Sequence, residues 1–561
     1  MAILGNSILL SGGNNSELFN SPITFSTTMP TAIKRGHIWI KSSNGGYVNS
    51  IAFVNNVSLA TIANNSLVYE VFNTNNLRIV FNQNMSITSE NKTVNATFDA
   101  ETIGNHPWLA GEVEGLGSIY LPYPRVFIKK NNILYIETAY VWTGSAWHML
   151  SESDTYLICG HYKNENNNAF YPWGVYNRTN ISSLTEHGLV DNTYVPNAQY
   201  GHCVSYSTGE YLACKTDSGT IRDIKIFKRI GDTFTLNQTI NNSSLKSVLP
   251  STITSGNFSI LLGSSAFNRL NGSNSLAMTW NGSHLLIPCA YCISTDGNAY
   301  AQVKIIVVVL ENVAGQYKYK NYFEVYSYNT HNNLKAVQNS GCVIAISADG
   351  TVVSTECGVS YSETTNSYTT LGATQVAIGS FDNGFTVKSL SNAYNYGVAI
   401  SPDGSCGVYG KINGNNLEYR LYSINIQQKT ITEIQSIASS SNSLIGVCIT
   451  TDNNIWCVIK DSSNYVALYQ SKYINGVYTS ISGYSPFTIK NGTDIVYYAN
   501  FYGMAIDSKN NLVYIANYGQ ICACTMTKDT NGKITALTQV SNVAFQNGYG
   551  NTMSLFITPY L

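Results

Sequence analysis

The chain has 561 residues, of which 11% are charged, with 31 Lys and Arg against 32 Asp and Glu and a formal net charge of -1. Charge so sparse and balanced excludes an electrostatic nucleic-acid binder, and no cluster of Lys and Arg offsets it. The 40 Tyr and 44 Gly stand among abundant Asn, Ser and Thr, a mixture of turn formers and pleat formers that predicts an all-β protein.

Residues 1–29, rich in Gly, Asn and Ser, read as an extended N-terminal arm. The opening MAILGNSILLSGG lacks the basic segment and long apolar run of a secretion signal, so synthesis in a cytoplasm without export is expected. Residues 30–150 read as a small β-rich domain. Its phrase LGSIYLPYPRVFIKKNN suggests a strand pair, and ILYIETAYVWTGSAWHML suggests a hairpin with its tip at Thr143-Gly144-Ser145.

From residue 151 a different organisation begins. VAISPDGSCGVYG, Val398 to Gly410, is strand, polar turn, strand: Pro fixes φ, Asp bonds its own backbone and Gly accepts positive φ. The same frame recurs from Cys203, Leu276, Cys342, Val447 and Met504, with turns at Gly209, Gly282, Gly350, Gly404, Asn454 and Asn511. Each interval leaves room for two more strands, such as LEYRLYSI and TITEIQSI after Gly404. Four strands per repeat is the pattern of a β-propeller blade. A sandwich array or β-helix could use the same hairpins, but neither has a reason to close head to tail. Closure is the test. NTMSLFITPYL at the C-terminal end is an inner-strand pattern with no partner after it, and TYLICGHYK at 155–163 has none before it. Met553–Thr558 is therefore expected to form the first strand of a seventh blade and Thr155–His161 its second, making residues 151–561 a seven-bladed propeller.

The Gly36–Lys41 phrase GHIWIK and the Ala139–Trp147 phrase AYVWTGSAW resemble strand-turn-strand pieces of bacteriophage tail proteins. The glycine-rich opening is similar to that of tail and baseplate proteins of phages infecting low-GC Gram-positive bacteria. The resemblance implies a virion tail component, assembled in the host cytoplasm, with residues 30–150 as a virion-attachment domain. It implies other tail or baseplate proteins and a host-surface glycan or protein as partners, and several copies or a homo-oligomer in the virion.

Catalytic patterns are missing from the sequence. None of the eight His falls in an HExxH or HxH pattern, and there is no GxSxG elbow or P-loop. Asp349, Asp403 and Asp452 lie in blade turns, where an Asp ordinarily satisfies backbone N–H groups. Asp529-Thr530-Asn531-Gly532 starts like a calcium loop but lacks the closing Glu, so it reads as a tight turn. Cys289-x-x-Cys292 and Cys522-x-Cys524 have no matching pair or nearby His for zinc, and the 12 Cys read as small buried hydrophobes. No cofactor, metal, nucleic acid or membrane span is implied; KIIVVVL is too short to cross a bilayer.

Strand parity assigns the tight turns to one face of the propeller and the longer connections, rich in Tyr, Asn and Ser, to the other. Tyr-Gly precedes inner strands at Tyr200, Tyr396, Tyr502 and Tyr549. Those tyrosines, with Tyr291, Tyr394, Tyr498 and Asn500, are the candidate ligand contacts: aromatic faces stack on pyranose rings while amides and hydroxyls bond sugar hydroxyls. The expected function is non-enzymatic receptor binding. A baseplate component making only virion contacts is the alternative, and a depolymerase with paired carboxylates a more distant one.

Overall fold

A computed structural model of the chain describes its strands, two short helices and the tight turns between them, with side chains described chiefly between residues 211 and 544. Contact density divides it into two units, Met1–Thr155 with Val313–Gly315, and Tyr156–Asn312 with Gln316–Leu561. The described residues are nearly all β, and none of their helices is long and apolar enough to cross a membrane.

In the first unit, Ile38–Lys41 of the GHIWIK phrase pairs with Thr138–Trp142, which turns back on Trp147–Met149 as the expected hairpin. Two expectations are corrected. Ile23–Ser26 is a strand within this sheet, between Ile38–Lys41 and Met85–Ser89, so the 1–29 segment is not an arm throughout. Trp39 is buried and donates its indole N–H to the Ser26 carbonyl at 3.2 Å. The LGSIYLPYPRVFIKK phrase gives two strands in different sheets: Gly117–Leu121 pairs with Trp108–Val113, whereas Val126–Lys130 pairs with Ile133–Ile136 and Ser66–Glu70. Pro122 and Pro124 lie between them, and proline's fixed φ and missing N–H disfavour a tight hairpin there.

The second unit is a seven-bladed β-propeller. Its seven sheets, blades 1 to 7, have first strands at His202–Val204, Ala277–Met278, Gly341–Ile346, Ala393–Ile400, Ser443–Ile449, Gly503–Asp507 and Gly550–Thr558. Gly550–Thr558 pairs with Tyr156–Lys163 in the register Tyr156↔Thr558, so the C-terminal strand completes the sheet that the start of the unit leaves open. That first strand also lies beside Gly503–Asp507 of blade 6 and His202–Val204 of blade 1, which closes the ring.

Each blade is buried on both sides, and alternate residues of one strand therefore serve different junctions. In Cys406–Asn413 of blade 4, Cys406 and Val408 join the cluster shared with blade 5, while Tyr409 joins the one shared with blade 3. In Tyr300–Val313 of blade 2, Ile306, Val308 and Leu310 face blade 1, and Ile305, Val307 and Val309 face blade 3. That explains the unbroken apolar run KIIVVVL: neither face of this strand meets water.

Sequence reasoning missed the helices Asn242–Val248 and Ser251–Thr254, which link blades 1 and 2 and bury Leu245 and Ile253 between them. Their local signal was Asn241, whose side chain caps Ser244 N–H while the Ser244 hydroxyl accepts from Asn241 N–H, both at 2.8 Å.

Candidate ligand-binding face

The tight turns of blades 3 and 4 are structural, as their composition predicts; Asp452 lies outside the described residues. Asp403 Oδ1 accepts from Ser401 Oγ at 2.7 Å, Ser405 N–H at 3.0 Å and Ser405 Oγ at 2.8 Å. Asp349 repeats this one blade earlier, accepting from Ser347 Oγ, Thr351 N–H and Thr351 Oγ1. Gly404 has φ +70, and a Cβ there would lie 2.9 Å from Val352 of the preceding blade, so only glycine fits. The turns also bond to one another: Trp280 N–H donates to Ala348 O at 2.9 Å, and Ala348 N–H to Pro402 O at 2.8 Å. Pro402, without an N–H, cannot pass the chain on.

Beside the blade 2 turn, His284 stacks on Phe381 of blade 3 with ring centroids 4.2 Å apart, and its Nδ1 lies 2.9 Å from Ser283 Oγ. Around it Lys320 bridges Glu311 at 3.0 Å and Asp382 at 2.7 Å. Burial first, and then the Lys320 charge, push the His284 pKa down to about 4, against the opposing pull of Glu311 and Asp382. The folded imidazole is therefore neutral where the unfolded one, near 6.5, already takes a proton. Stability is expected to be unaffected above pH 7 and to fall as pH drops from 6.5 to 4, by up to about 3 kcal/mol. Urea midpoints followed across that range should show the slope, and His284→Phe should flatten it.

Of the candidate contacts, Tyr291, Tyr394 and Tyr396 lie in described strands. Tyr394 and Tyr396 lie two residues apart on the first strand of blade 4, in a strand and not the expected loop. The strand is irregular between the pairs Ala393↔Lys411 and Val398↔Tyr409. Glu356 of blade 3, 3% exposed, accepts the Gly397 N–H at 2.5 Å and so ties the strand carrying Tyr396 to its neighbour. Tyr200, Tyr498, Asn500, Tyr502 and Tyr549 lie outside the described residues. Tyr291 calls for a correction, because it is on no loop. It sits in His284–Asp296, the second strand of blade 2, opposite Lys304, and is 7% exposed within the cluster shared with blade 1. The parity of the strand turns it inward alongside Ile287 and Cys289.

Blade 2 is built differently from the others. Its second, third and fourth strands are His284–Asp296, Tyr300–Val313 and Gln316–Thr330, with 13, 14 and 15 residues. Blade 4, whose strands begin at the same level after an equivalent turn, has a second strand of 8 residues. The excess lies at the connection end, because His284 pairs with Glu311 much as Val352 pairs with Ile378 in blade 3. At 3.3–3.4 Å per residue, five extra residues carry the blade 2 ribbon about 15 Å beyond the blade 4 hairpin. The fourth strand reads QYKYKNYFEVYSYNT, a tyrosine-rich run within a strand and not in a loop.

Charged groups nearby are mutually satisfied. In blade 4, Glu433 accepts from Tyr409, from Lys411 at 3.0 and 3.1 Å and from Arg420 at 2.7 and 3.2 Å. Burial works to raise the Glu433 pKa, but these hydrogen bonds and the Arg420 charge outweigh it and hold it at about 2. In blade 2, Lys304 bonds Glu324 at 2.7 Å. The ten described cysteines are buried; Cys289 faces the blade 1 junction and Cys292 the blade 3 junction, so the CxxC pair diverges.

No family model matches the chain, and no curated protein does. Solved structures do. One from Bacteroides fragilis, named as a candidate 6-phosphogluconolactonase, is similar at 13% identity and a TM-score of 0.43, over 72% of this chain and 98% of its own. A Lactobacillus plantarum protein is similar at 13% and 0.41, over 72% and 99%. Another candidate 6-phosphogluconolactonase, from Bacteroides uniformis, is similar at 12% and 0.44, over 72% and 100%. Identities this low bear on fold alone, and TM-scores under 0.5 carry no argument about activity.

Proposed function

We propose that this chain is a non-enzymatic bacteriophage tail protein that joins other tail or baseplate proteins through its N-terminal unit and binds a host-surface glycan or protein with the connection face of its propeller. The observation that carries the binding part is the blade 2 ribbon. A ring that served only as a spacer has no use for one blade extended by about 15 Å at one end, with the half-buried Tyr326 and Tyr328 near that end of its outermost strand. Rigid scaffolds that present aromatic and amide groups on one face are suited to recognition. The charge network on blade 4 is internally paired, so recognition there would rest on stacking and neutral hydrogen bonds.

The test is binding of the labelled full chain to intact cells of a panel of low-GC Gram-positive bacteria. Saturable binding to at least one strain, competed by unlabelled chain, is the expected result. Well-folded chain that binds no strain would sink the receptor reading and leave a tail part making only virion contacts. Release of reducing ends from cell-wall polysaccharide would overturn the non-enzymatic part.

A further inference from the structure

The geometry points to Cys342 and Cys357 of blade 3 as a cross-strand thiol pair that a small-molecule disulfide oxidises to a reversible disulfide bond, stapling the first strand of the blade to its second. The two residues sit opposite each other in the register of Gly341–Ile346 with Val352–Val359, and their Sγ atoms are 3.5 Å apart. Among the described residues no other two cysteines face each other across a ladder. Cys289 and Cys292 diverge, and Cys522 and Cys524 follow one another along a single strand.

Register decides whether such a pair can close. Ser347 N–H donates to Val352 O at 2.9 Å, so Ser347 and Val352 form a hydrogen-bonded pair at the turn end of the ladder. Hydrogen-bonded and non-hydrogen-bonded pairs alternate along an antiparallel ladder. The register runs without a bulge from there to Cys342, five pairs further on, which makes Cys342 and Cys357 a non-hydrogen-bonded pair. Opposite Cα atoms in such pairs are about 4.5 Å apart, with their side chains closer than in the other kind. That spacing falls within the range of about 4.4–6.8 Å that disulfides span. The next pair, Gly341↔Gly358, has no Cβ on either strand, so the backbone can make the small adjustment that bond formation needs.

Both thiols are buried in the cluster shared with blade 2. Burial, and then the hydrogen bond with Cys357, push the Cys342 thiol well above its ordinary range. Reaction therefore passes through a transient opening of the strand pair, or takes place while the blade folds. One thiol, as its thiolate, attacks the small disulfide and expels one small thiol; the second attacks the resulting mixed disulfide and expels the other. The protein loses two protons and two electrons, and the small disulfide gains them as two thiols. A reducing cytoplasm keeps such a pair as thiols, and an oxidising exterior bridges it. The pair stands on strand register, whatever the propeller binds.

The test treats the full chain, both folded and during refolding from urea, with oxidised glutathione, followed by denaturation, alkylation and mass spectrometry. Residues 336–388 are one tryptic peptide, bounded by Lys335 and Lys388, with Cys342 and Cys357 as its only cysteines, and cleavage at Asp349 divides it between them. The expected result, in at least one of the two preparations, is a peptide two hydrogens lighter than its reduced form. Its halves should stay joined after the cut until dithiothreitol is added. The bridged chain should melt about 3 °C or more above the reduced one, and dithiothreitol should remove the gain. Cys357→Ala, its fold verified by far-UV circular dichroism, should show no such response to the oxidant. Cysteines 342 and 357 both alkylated or both glutathionylated in the two preparations would overturn the bridge, as would a link from either one to any other cysteine. A bridge that lowers the melting temperature would overturn its role as a staple.

Discussion

A chain ending at residue 549 is expected to lose the propeller as a cooperative unit. Removal of the final strand takes away eight residue pairs, from Tyr156↔Thr558 to Lys163↔Gly550. At a net worth of about 1 kcal/mol per backbone hydrogen bond, the loss is on the order of 8 kcal/mol, comparable with the whole stability of an ordinary domain. Two further consequences compound it. Tyr156–Lys163 becomes a bare strand edge that invites aggregation, and the first strands of blades 1 and 6 lose the neighbour between them. The measurable outcome is a collapse in soluble yield, or a melting temperature lowered by well over 10 °C with dye binding at room temperature. A synthetic peptide of residues 550–561, added in excess, should restore part of the melting temperature by filling the vacant place. A truncated chain that melts within a few degrees of the full one would mean that the ring does not depend on its closure.

Much of this closure was legible in the sequence because it depends on pattern and turn chemistry. Each inner strand must be followed by a turn that reverses the chain within five residues, and only a few residue combinations do so. Ser401-Pro402-Asp403-Gly404 and Ser347-Ala348-Asp349-Gly350 therefore announce themselves, and their carboxylates make the same three hydrogen bonds in both blades. The unpaired strand patterns at the two ends of the unit followed from the same count. The candidate contacts were less legible, for a physical reason. A tyrosine in a loop and one in a strand contribute the same letter, and strand length decides which side of a residue meets solvent. The letters around Tyr291 suit a connection, yet the second strand of blade 2 continues to Asp296 and carries Tyr291 into the core. Conversely, the alternation in QYKYKNYFEVYSYNT marks a strand but not how far it outreaches its neighbours. The parallel addition of Thr488–Asn491 to the outer edge of blade 6 is a long-range pairing with no local signature.

Trp456→Ala is expected to cost about 4 kcal/mol, among the largest losses available to a single substitution here. Trp456 is fully buried on the second strand of blade 5 and packs with Met504, Ile506 and Val513 of blade 6. Its indole N–H donates to Thr450 Oγ1 at 3.2 Å, and Lys528 Nζ lies 5.6 Å from the ring centroid. Alanine leaves a cavity at this junction that two flat sheets, each held on its far side by another blade, cannot collapse to fill. Trp456→Phe should cost only about 1–2 kcal/mol, because most of the ring volume remains. The Thr450 hydroxyl is not orphaned by that change, since it also donates to Asn454 O at 3.1 Å. The distribution of the damage is as informative as its size. If each junction is a separate layer of core, hydrogen exchange in Trp456→Ala should accelerate first in 454–460 and 504–515, with blades 2 and 3 unchanged. Uniform acceleration around the ring would instead mean that closure couples all seven junctions, so that weakening one loosens every blade, including the ribbon on blade 2.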